Sequence, residues 1–401
     1  MTVWIIEPQD PLLVRDGRPF GANPGVRARS LPFPFPSTTT GAVRTRAGQD
    51  PHGRFDPTTV SAVTAIRTRG PLLLEEDDDG HWAYLAPAPR DALAFDGPGD
   101  TLTVRPLTPL LPSPGALSDL DAVPNQPPLH PIGLTVTELA KPAKDAPAFW
   151  RWAQFQDWLA KPSLQQIAAA ELGLPALSVD RRMHVAIDPT TGTGRDGMLF
   201  MTGGLAFHHN PDPDDPQLSG TRRLALAVAV DNETDPTHSP GWGPMGGERR
   251  LMVWRPDGPA LPPLPAALRQ SIITARRCRI ILLTPAAFND GWRPAWLLQP
   301  RHDVTPTLEA AAVGKPDTVS GWDLALGRLK ASRRLAPAGS VYYLTLTGPG
   351  DIDRWLDAVW LHCVSDEPAD RDAGFGLAAV GAYDGPQTMI SEEAHHAQQT
   401  T

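Results

Sequence analysis

The stretch Leu31-Pro-Phe-Pro-Phe-Pro-Ser-Thr-Thr-Thr-Gly-Ala-Val-Arg44 passes from a proline ladder into a run of hydroxyls. Proline fixes φ and removes a backbone donor, so 32–36 reads as extended chain. Ser and Thr side chains accept from the free N–H groups of a first helical turn. Ser37-Thr38-Thr39-Thr40 therefore predicts a hydroxyl-capped helix start ahead of Gly41-Ala42-Val43-Arg44. Upstream, Val3 to Ile6 is a short apolar strand that stops at Glu7-Pro8. Downstream, Thr64–Leu74 and His81–Ala86 read as strands joined across the acidic turn Asp77-Asp78-Asp79-Gly80. Strand, helix, strand, strand is the opening of a ferredoxin-like (RRM-like) unit, and the fold class is α+β.

Further along, prolines dominate Pro106 to Pro147 and regular structure is not expected there. Two helices are predicted next. Ala148–Ala160 is aromatic (Phe149, Trp150, Trp152, Phe155, Trp158), and a second helix opens at the capping box Ser163-Leu-Gln-Gln166 and stops at Gly173. An aromatic stripe of this kind reads either as a docking face or, more plainly, as internal core. Arg182–Ile187 and Met198–Thr202 form a β-hairpin with the glycine-rich tip 188–197. Leu224–Val230 is an apolar run long enough for a strand buried on both faces. Strand Leu251–Trp254 follows the loop Gly241–Arg250, and the proline-rich 257–265 makes a domain boundary. Beyond it lie strands at Ile280–Thr284, Ser320–Leu326, Val341–Leu346 and Leu377–Tyr383. An amphipathic helix runs from Ile352 to Cys363 with Asp351 as N-cap, and 387–401 is a polar tail expected to be disordered.

Composition narrows the function. The chain has 401 residues and a net charge of -9, which argues against a free-standing nucleic-acid binder. The charge is uneven, however: between Pro11 and Arg46 stand six arginines (Arg15, Arg18, Arg27, Arg29, Arg44, Arg46) against one acid, Asp16. An acidic protein with one basic segment can hold RNA at a single face, the more so where neighbouring subunits complete the site. Cys278 and Cys363 are far apart without metal-type spacing and read as buried thiols of a reducing compartment. Met1–Glu7 reads as a strand, not a signal peptide, and no apolar run approaches membrane-spanning length. The expectation is a cytoplasmic protein.

No set of residues reads as catalytic. Gly241–Arg250 lacks the Gly-Lys-Ser/Thr ending of a phosphate-cradling loop, and Gly374-Phe375-Gly376 opens a strand, not a helix. Either glycine run can approach a polyanion closely, with Arg249 and Arg250 beside Gly246 and Gly247; tight-turn chemistry is the plainer reading. His208-His209 with Asp212, Asp214 and Asp215 lacks metal-ligand spacing and reads as a solvated loop, and His395-His396 sits in the tail. His184 could act as a general base, yet no nucleophile or carboxylate accompanies it. No metal and no cofactor are expected.

The order of the motifs is more specific than any one of them. Asp10-Pro-Leu-Leu-Val-Arg-Asp-Gly-Arg-Pro-Phe20 and the 31–44 stretch resemble the repeat-associated mysterious protein (RAMP) family of the third subunit in type III-B (Cmr) CRISPR effectors. The hairpin His184–Phe200 is similar to that family's thumb region. Gly246-Gly-Glu-Arg-Arg250, Leu283–Phe288, Gly291–Pro294, Ser320–Asp323, Pro337–Tyr342 and the glycine-rich Gly374–Gly381 continue the resemblance in order. It implies two ferredoxin-like domains, about 1–260 and 261–386, the first with an insertion (about 106–202) that carries the thumb-like hairpin 182–202. It implies a non-catalytic subunit, one copy per complex, that binds the 5′ repeat-derived tag of the crRNA at the base of an antiviral ribonucleoprotein. Its neighbours would be the large polymerase/cyclase-like subunit and the backbone RAMP. The RNA-binding residues expected on that basis are Arg15, Arg18, Ser37, Thr38, Arg44, His184, Gly246, Gly247, Arg249, Arg250, Gly374, Phe375 and Gly376, with phosphate contacts positioning the strand and splayed bases giving identity. The alternative is a repeat-processing endoribonuclease of the wider RAMP group, with His184 as base.

Overall fold

The computed structural model describes residues 1–15, 30–50, 52–112, 128–211, 215, 217, 219–231, 240–323, 328–329 and 331–388. The elements that matter below are β1 (Thr2–Pro8), α1 (Pro36–Ala47), β2 (Thr68–Glu76), β3 (Trp82–Pro87), β4 (Phe149–Arg151), α2 (Trp152–Ala160), β5 (Gly173–Leu174), β6 (Val179–Ile187), β7 (Gly194–Leu205), β8 (Arg222–Val230), β9 (Gly241–Met245) and β10 (Arg250–Arg255). The C-terminal half supplies α3 (Ala266–Ala275), β11 (Arg277–Leu282), β12 (Thr305–Ala312), β13 (Val341–Thr347), α4 (Ile352–Val359) and β14 (Ala378–Ala382).

The fold is α+β, with mostly antiparallel sheets and few helices. The first sheet runs β5-β4-β3-β2-β8-β1-β10-β9, with His208–His209 added beside β8. Strand β8 lies between β1 and β2 and is antiparallel to both, in registers such as Ile5↔Ala227 and Leu226↔Leu73. The two strands that α1 connects are therefore parallel and one place apart. His81–Ala86, expected as the next core strand, instead flanks β2 on its outer side as β3. The inner position goes to β8, whose seven residues Leu224 to Val230 are all buried. A strand buried on both faces needs an apolar side chain at every position, and Leu224–Val230 has one at all seven. The second sheet, β12-β13-β11-β14, is also antiparallel throughout, and α4 connects β13 to β14.

Alternation in the first sheet feeds two cores. Trp4, Ile6, Leu73, Leu226, Val228, Val230 and Trp254 face the side covered by α1 through Val43. Val3, Ile5, Leu72, Leu74, Ala225, Ala227 and Ala229 face the larger core, which includes the C-terminal sheet. The side chains of β8 are alanines on that second face and Leu or Val on the first, so the C-terminal half can approach closely. Both faces of the sheet are thereby covered, and an RRM-type open sheet face is not available to a ligand.

Several expectations are corrected. Helix α1 begins at Pro36, and its N-cap Phe35 has no side-chain oxygen to offer. Proline at the first helical position is preorganised for the turn, so the hydroxyls fall inside the helix, where Thr39 Oγ1 donates to Pro36 O at 3.0 Å. The aromatic helix starts late: Phe149–Arg151 is strand β4, because Trp150 pairs with Ala86 in the ladder. The predicted second helix is a strand over Gln165–Ala168 on Thr101–Val104, followed by one helical turn, Ala169–Leu172. The ladder takes the N–H groups that a capping box would have bound. Gly241–Met245 is not loop but β9, paired with β10. Strand β12 was not expected, since Glu309-Ala-Ala-Ala312 reads as helical and only its pairing with β13 makes it a strand. The predicted strand Ser320–Leu326 is reduced to Trp322–Asp323 among the described residues. Gln387, placed in the tail, pairs with Pro109 and Leu111 at 2.8 and 2.9 Å; residues 389–401 lie outside the described residues.

Helix α2 is core and not a free docking face. It packs on both β3 and β14, wedged between the two sheets, with Phe155, Trp158 and Leu159 buried. A buried charge network secures the wedge. Arg279 and Asp91, both about 1% exposed, form an ion pair, and Arg279 also donates to Ala382 O at 3.0 Å and to Trp158 O. Trp158 Nε1 donates to Asp91 at 2.9 Å, and the Tyr343 hydroxyl donates to Leu107 O at 2.9 Å. Cys278 and Cys363 are buried free thiols, as expected, and burial pushes the Cys363 thiol up to about 12. No helix among the described residues is long and apolar enough to cross a membrane.

Candidate nucleic-acid interface

Four residues, Leu12 to Arg15, organise the first part of the site. Leu12 exchanges backbone hydrogen bonds of 2.9 and 2.8 Å with Leu205, the last residue of β7. Leu13 O accepts from Gly247 N at 2.7 Å, and Val14 O accepts from Leu31 N at 2.8 Å. The root of the hairpin, the glycine loop after β9 and the chain entering α1 thus converge on one short segment. Gly246 permits this: at φ 74° it is left-handed, and a Cβ there would lie 2.7 Å from Leu13 O. Glu248 and Arg249 follow at φ 56° and 51°. Left-handed geometry in non-glycine residues costs about 1 kcal/mol each and clusters at functional loops. Arg15 and Arg249 emerge exposed from this knot, whereas Arg250 is half-buried and ion-paired to Glu248 at 2.8 Å. Arg18 lies outside the described residues.

The hairpin β6–β7 is longer at both ends than the predicted 182–202. It forms a two-stranded sheet of its own. His184 stacks on Phe200 with centroids 5.2 Å apart and planes 16° from parallel, and its Nε2 lies 2.9 Å from the Thr202 hydroxyl. Alternation gives the opposite face Met183, Val185, Ile187 and Leu199, all exposed.

The second part of the site surrounds the N-terminus of α1. Ser37 is exposed and Thr38 half-buried, with Thr38 N donating to Phe35 O at 2.9 Å. Thr40 turns inward, meeting Thr68 Oγ1 at 2.6 Å and donating to Ala373 O at 2.8 Å. Gly374, Phe375 and Gly376 are buried at this junction. Gly374 has φ 88°, and a Cβ there would lie 2.6 Å from Gly70 O, so the glycine is required by the close approach of the two halves. Phe375 packs with Phe35, Ala287, Val319 and Leu335. Gly376 N donates to Pro285 O at 2.9 Å. The glycine run expected to approach a polyanion is therefore a packed joint. Arg44 also serves the interior: Nη2 and Nε donate to Ile66 O at 2.9 and 3.3 Å, and burial lowers its pKa.

Between these two parts runs the segment 30–36, which lines a cavity of about 240 Å³. Its walls include Phe33, Phe35 and Phe149, with Arg90, Thr284 and Asp317 as polar groups. Burial raises the Asp317 pKa against the opposing effect of Arg90. Mostly apolar walls with a few polar groups suit a flat aromatic ligand. Nothing in the sequence marked this cavity, because its lining comes from segments as far apart as Leu31 and Ala338. Also beyond sequence reach is a group of guanidiniums, Arg67, Arg69 and Arg371, assembled where β2 meets the C-terminal half.

The carboxylates and histidine of Asp77, Asp79 and His81 are the one group among the described residues close enough together to hold a cation. Asp77 Oδ1 already accepts from Asp79 N and His81 N at 3.0 and 2.8 Å, which is ordinary turn chemistry. The His208–His209 pair sits on a two-residue strand beside β8.

The sequence model of CRISPR-associated protein (Cas_Cmr3) matches residues 4–383. No curated protein sequence matches the chain. Among solved structures, a chain of the type III-B Cmr-beta assembly bound to cognate target RNA is 16% identical, with TM-score 0.45 over 85% of this chain and 86% of that one. The same assembly bound to cognate target RNA and AMPPnP gives 15% and 0.44 over the same shares. A chain of the type III-A Csm3–Csm4 subcomplex is 10% identical, with TM-score 0.32 over 88% of this chain and 94% of that one.

Proposed function

Because the chain belongs to the Cas_Cmr3 family of CRISPR-associated proteins, we propose that it is the type III-B effector subunit that holds the 5′ tag of the guide RNA, by binding and without catalysis. The observation that carries this reading is the convergence on Leu12–Arg15. A hairpin, a glycine loop with three left-handed residues and the entry to α1 are tied to four residues, and Arg15 and Arg249 are presented there. A tag must be held in one register so that the first guide base is presented for pairing. Phosphates bound by Arg15 and Arg249 would set position. A base received in the aromatic cavity between 30–36 and Asp317 would set identity. Exposed Ser37 and the α1 N-terminus offer further donors to the same strand.

A binding role is supported by the engagement of His184. Its ring is stacked on Phe200 and held by the Thr202 hydroxyl, an arrangement that stiffens a ribbon. The two-unit description of the fold belongs to the same proposal. In the order β10-β1-β8-β2 the first half keeps the α1 crossover, and in β14-β11-β13-β12 the second half keeps the α4 crossover. Both orders are those of a ferredoxin-like sheet, and we place the division near residue 260. The partners are the crRNA, the large polymerase/cyclase-like subunit and the backbone RAMP, with one copy of this chain per complex.

The test is photocrosslinking of the assembled complex with a guide carrying 4-thiouridine in the tag. Adducts on peptides containing Arg15, Phe33 or Arg249 are expected. Tag adducts confined to another polypeptide would sink the reading. Metal-independent cleavage of repeat RNA by the purified chain, abolished in His184→Ala, would instead favour the nuclease.

A further inference from the structure

A second cleft, of about 280 Å³, lies on the seam between the halves and contains none of the residues expected from sequence. From the N-terminal half, Arg67, Thr68 and Arg69 line it, with Asp231 from the segment after β8. From the C-terminal half come Trp296, His362, Arg371 and Asp372.

The plain explanation is that the arginines staple the two halves together, and their hydrogen bonds are of that kind. Arg69 donates to Leu361 O at 3.1 Å, and Arg371 donates to Ser365 O and Asp366 O at 2.6 and 2.5 Å. Backbone carbonyls orient a guanidinium without cancelling its charge, however, and a guanidinium has five N–H donors. The ion pair here is Arg67 with Asp372 at 3.3 Å, in which Arg67 is 63% exposed at the rim. A fourth guanidinium lies beside them: Arg301 stacks on Trp296 at 3.4 Å, and Arg371 stacks on the same ring at 4.8 Å. Two cations sharing one indole repel each other. Burial, then the Arg371 charge, lowers the Arg301 pKa to about 10, and burial, then Arg69, lowers that of His362. Arg67, Arg69 and Arg371 line the cleft with Asp231 and Asp372 among the described residues, and Asp366 and Glu367 also act on Arg371. Three guanidiniums converging on one open cleft can offer N–H donors to an anion as well as to the carbonyls that they staple.

We propose that this cleft is a phosphate-binding site, in which Arg67, Arg69 and Arg371 receive the phosphoryl oxygens of a nucleotide or polynucleotide and Trp296 fixes the orientation of Arg371. Arginine forks match tetrahedral oxyanions through paired N–H donors. The site does not depend on where the guide tag binds.

The experiment uses the full chain and inorganic pyrophosphate, at ionic strength matched with sodium chloride. Pyrophosphate should raise the melting temperature in a saturable way. The apparent affinity should fall about tenfold in Arg67→Gln, since loss of one charge-assisted bond removes on the order of 1.5 kcal/mol. That side chain is at the rim, so the variant is expected to fold; Arg67→Gln/Arg371→Gln should abolish the response. Arg15→Ala/Arg249→Ala should keep it. No pyrophosphate-specific rise in the parent, an undiminished rise in Arg67→Gln, or loss of the rise in Arg15→Ala/Arg249→Ala would each overturn the assignment. Competition then separates the sources. Displacement of pyrophosphate by hexauridylate without a terminal phosphate identifies a diester backbone. Displacement only by its 5′-phosphorylated form identifies a terminal phosphate. Displacement by neither would remove nucleic acids and nucleotides as the ligand class and with them the proposal.

Discussion

At the scale of single residues, arginine content divides by neighbourhood. Arg15 and Arg44 come from one basic segment and read alike in sequence, yet Arg15 is exposed and Arg44 is hydrogen-bonded to Ile66 O inside the fold. Arg279 is the extreme case, a fully buried cation joined to Asp91, the Trp158 carbonyl and the Ala382 carbonyl. Removing one member of such a pair leaves a bare buried charge. Arg279→Met should therefore cost about 3–5 kcal/mol, read as a lower urea midpoint, and Arg279→Met/Asp91→Leu should recover a large part of it. His362 gives a pH signature. Its folded pKa is depressed, by burial and then by Arg69, below the ordinary 6.5. Between those two pKa values the unfolded chain binds the additional proton, so stability falls as pH drops below about 6.5 and the loss is complete below the folded pKa. Equilibrium unfolding at pH 7.5 and 5.5 should show this loss, and His362→Gln should make it smaller; an unchanged difference would remove His362 from the account.

Among elements, the hairpin β6–β7 and the helix α2 differ in where their apolar side chains go. The aromatic helix, open in sequence to a docking or a core reading, takes the plainer one and fills the space between two sheets. The hairpin looks modest yet leaves Met183, Val185, Ile187 and Leu199 exposed on one face. It forms its own sheet and is tied to the body at Leu205. Replacing 183–201 by Asn-Gly should leave the melting temperature within a few degrees, because little apolar surface is buried there. The same deletion should lower guide retention in the assembled complex if the ribbon contacts RNA. A large loss of stability would show instead that the hairpin is part of the fold's support.

For the molecule as a whole, net charge is a poor guide, because the sign of the surface changes from place to place. A protein of charge -9 can still bind RNA where Arg15 and Arg249 are exposed, whereas Arg222, Arg223 and Arg250 are paired with Asp78, Glu7 and Glu248. Each phosphate neutralised on a single strand contributes about 0.7 to the slope of log affinity against log salt. Arg15→Ala/Arg249→Ala should thus reduce the salt slope of guide retention by about 1.4, measured across a salt series on the assembled complex. Arg44→Ala should change stability and leave the slope alone. A slope unaltered by the first pair would exclude them from phosphate contact.

Local chemistry was readable without coordinates. Val3–Ile6 and Leu224–Val230 carry their patterns in consecutive residues; the helix predicted from Ile352 to Cys363 forms over Ile352–Val359, and Asp351 caps it as its position predicts, accepting from Arg354 N at 3.2 Å. The order of motifs identified the family for the same reason, since it is a property of the chain and not of its packing. What lay beyond reach were choices made by contact between distant residues. Gln165–Ala168 became strand because Thr101–Val104 was there to pair with it. Gly374–Gly376 became a buried joint because α1 and β2 press against it, and three arginines from residues 67 to 371 met in one cleft. Propensities differ by a few tenths of a kcal/mol per residue, whereas ladder pairing and burial are worth more than that at each position, so tertiary partners decide wherever the local preference is weak.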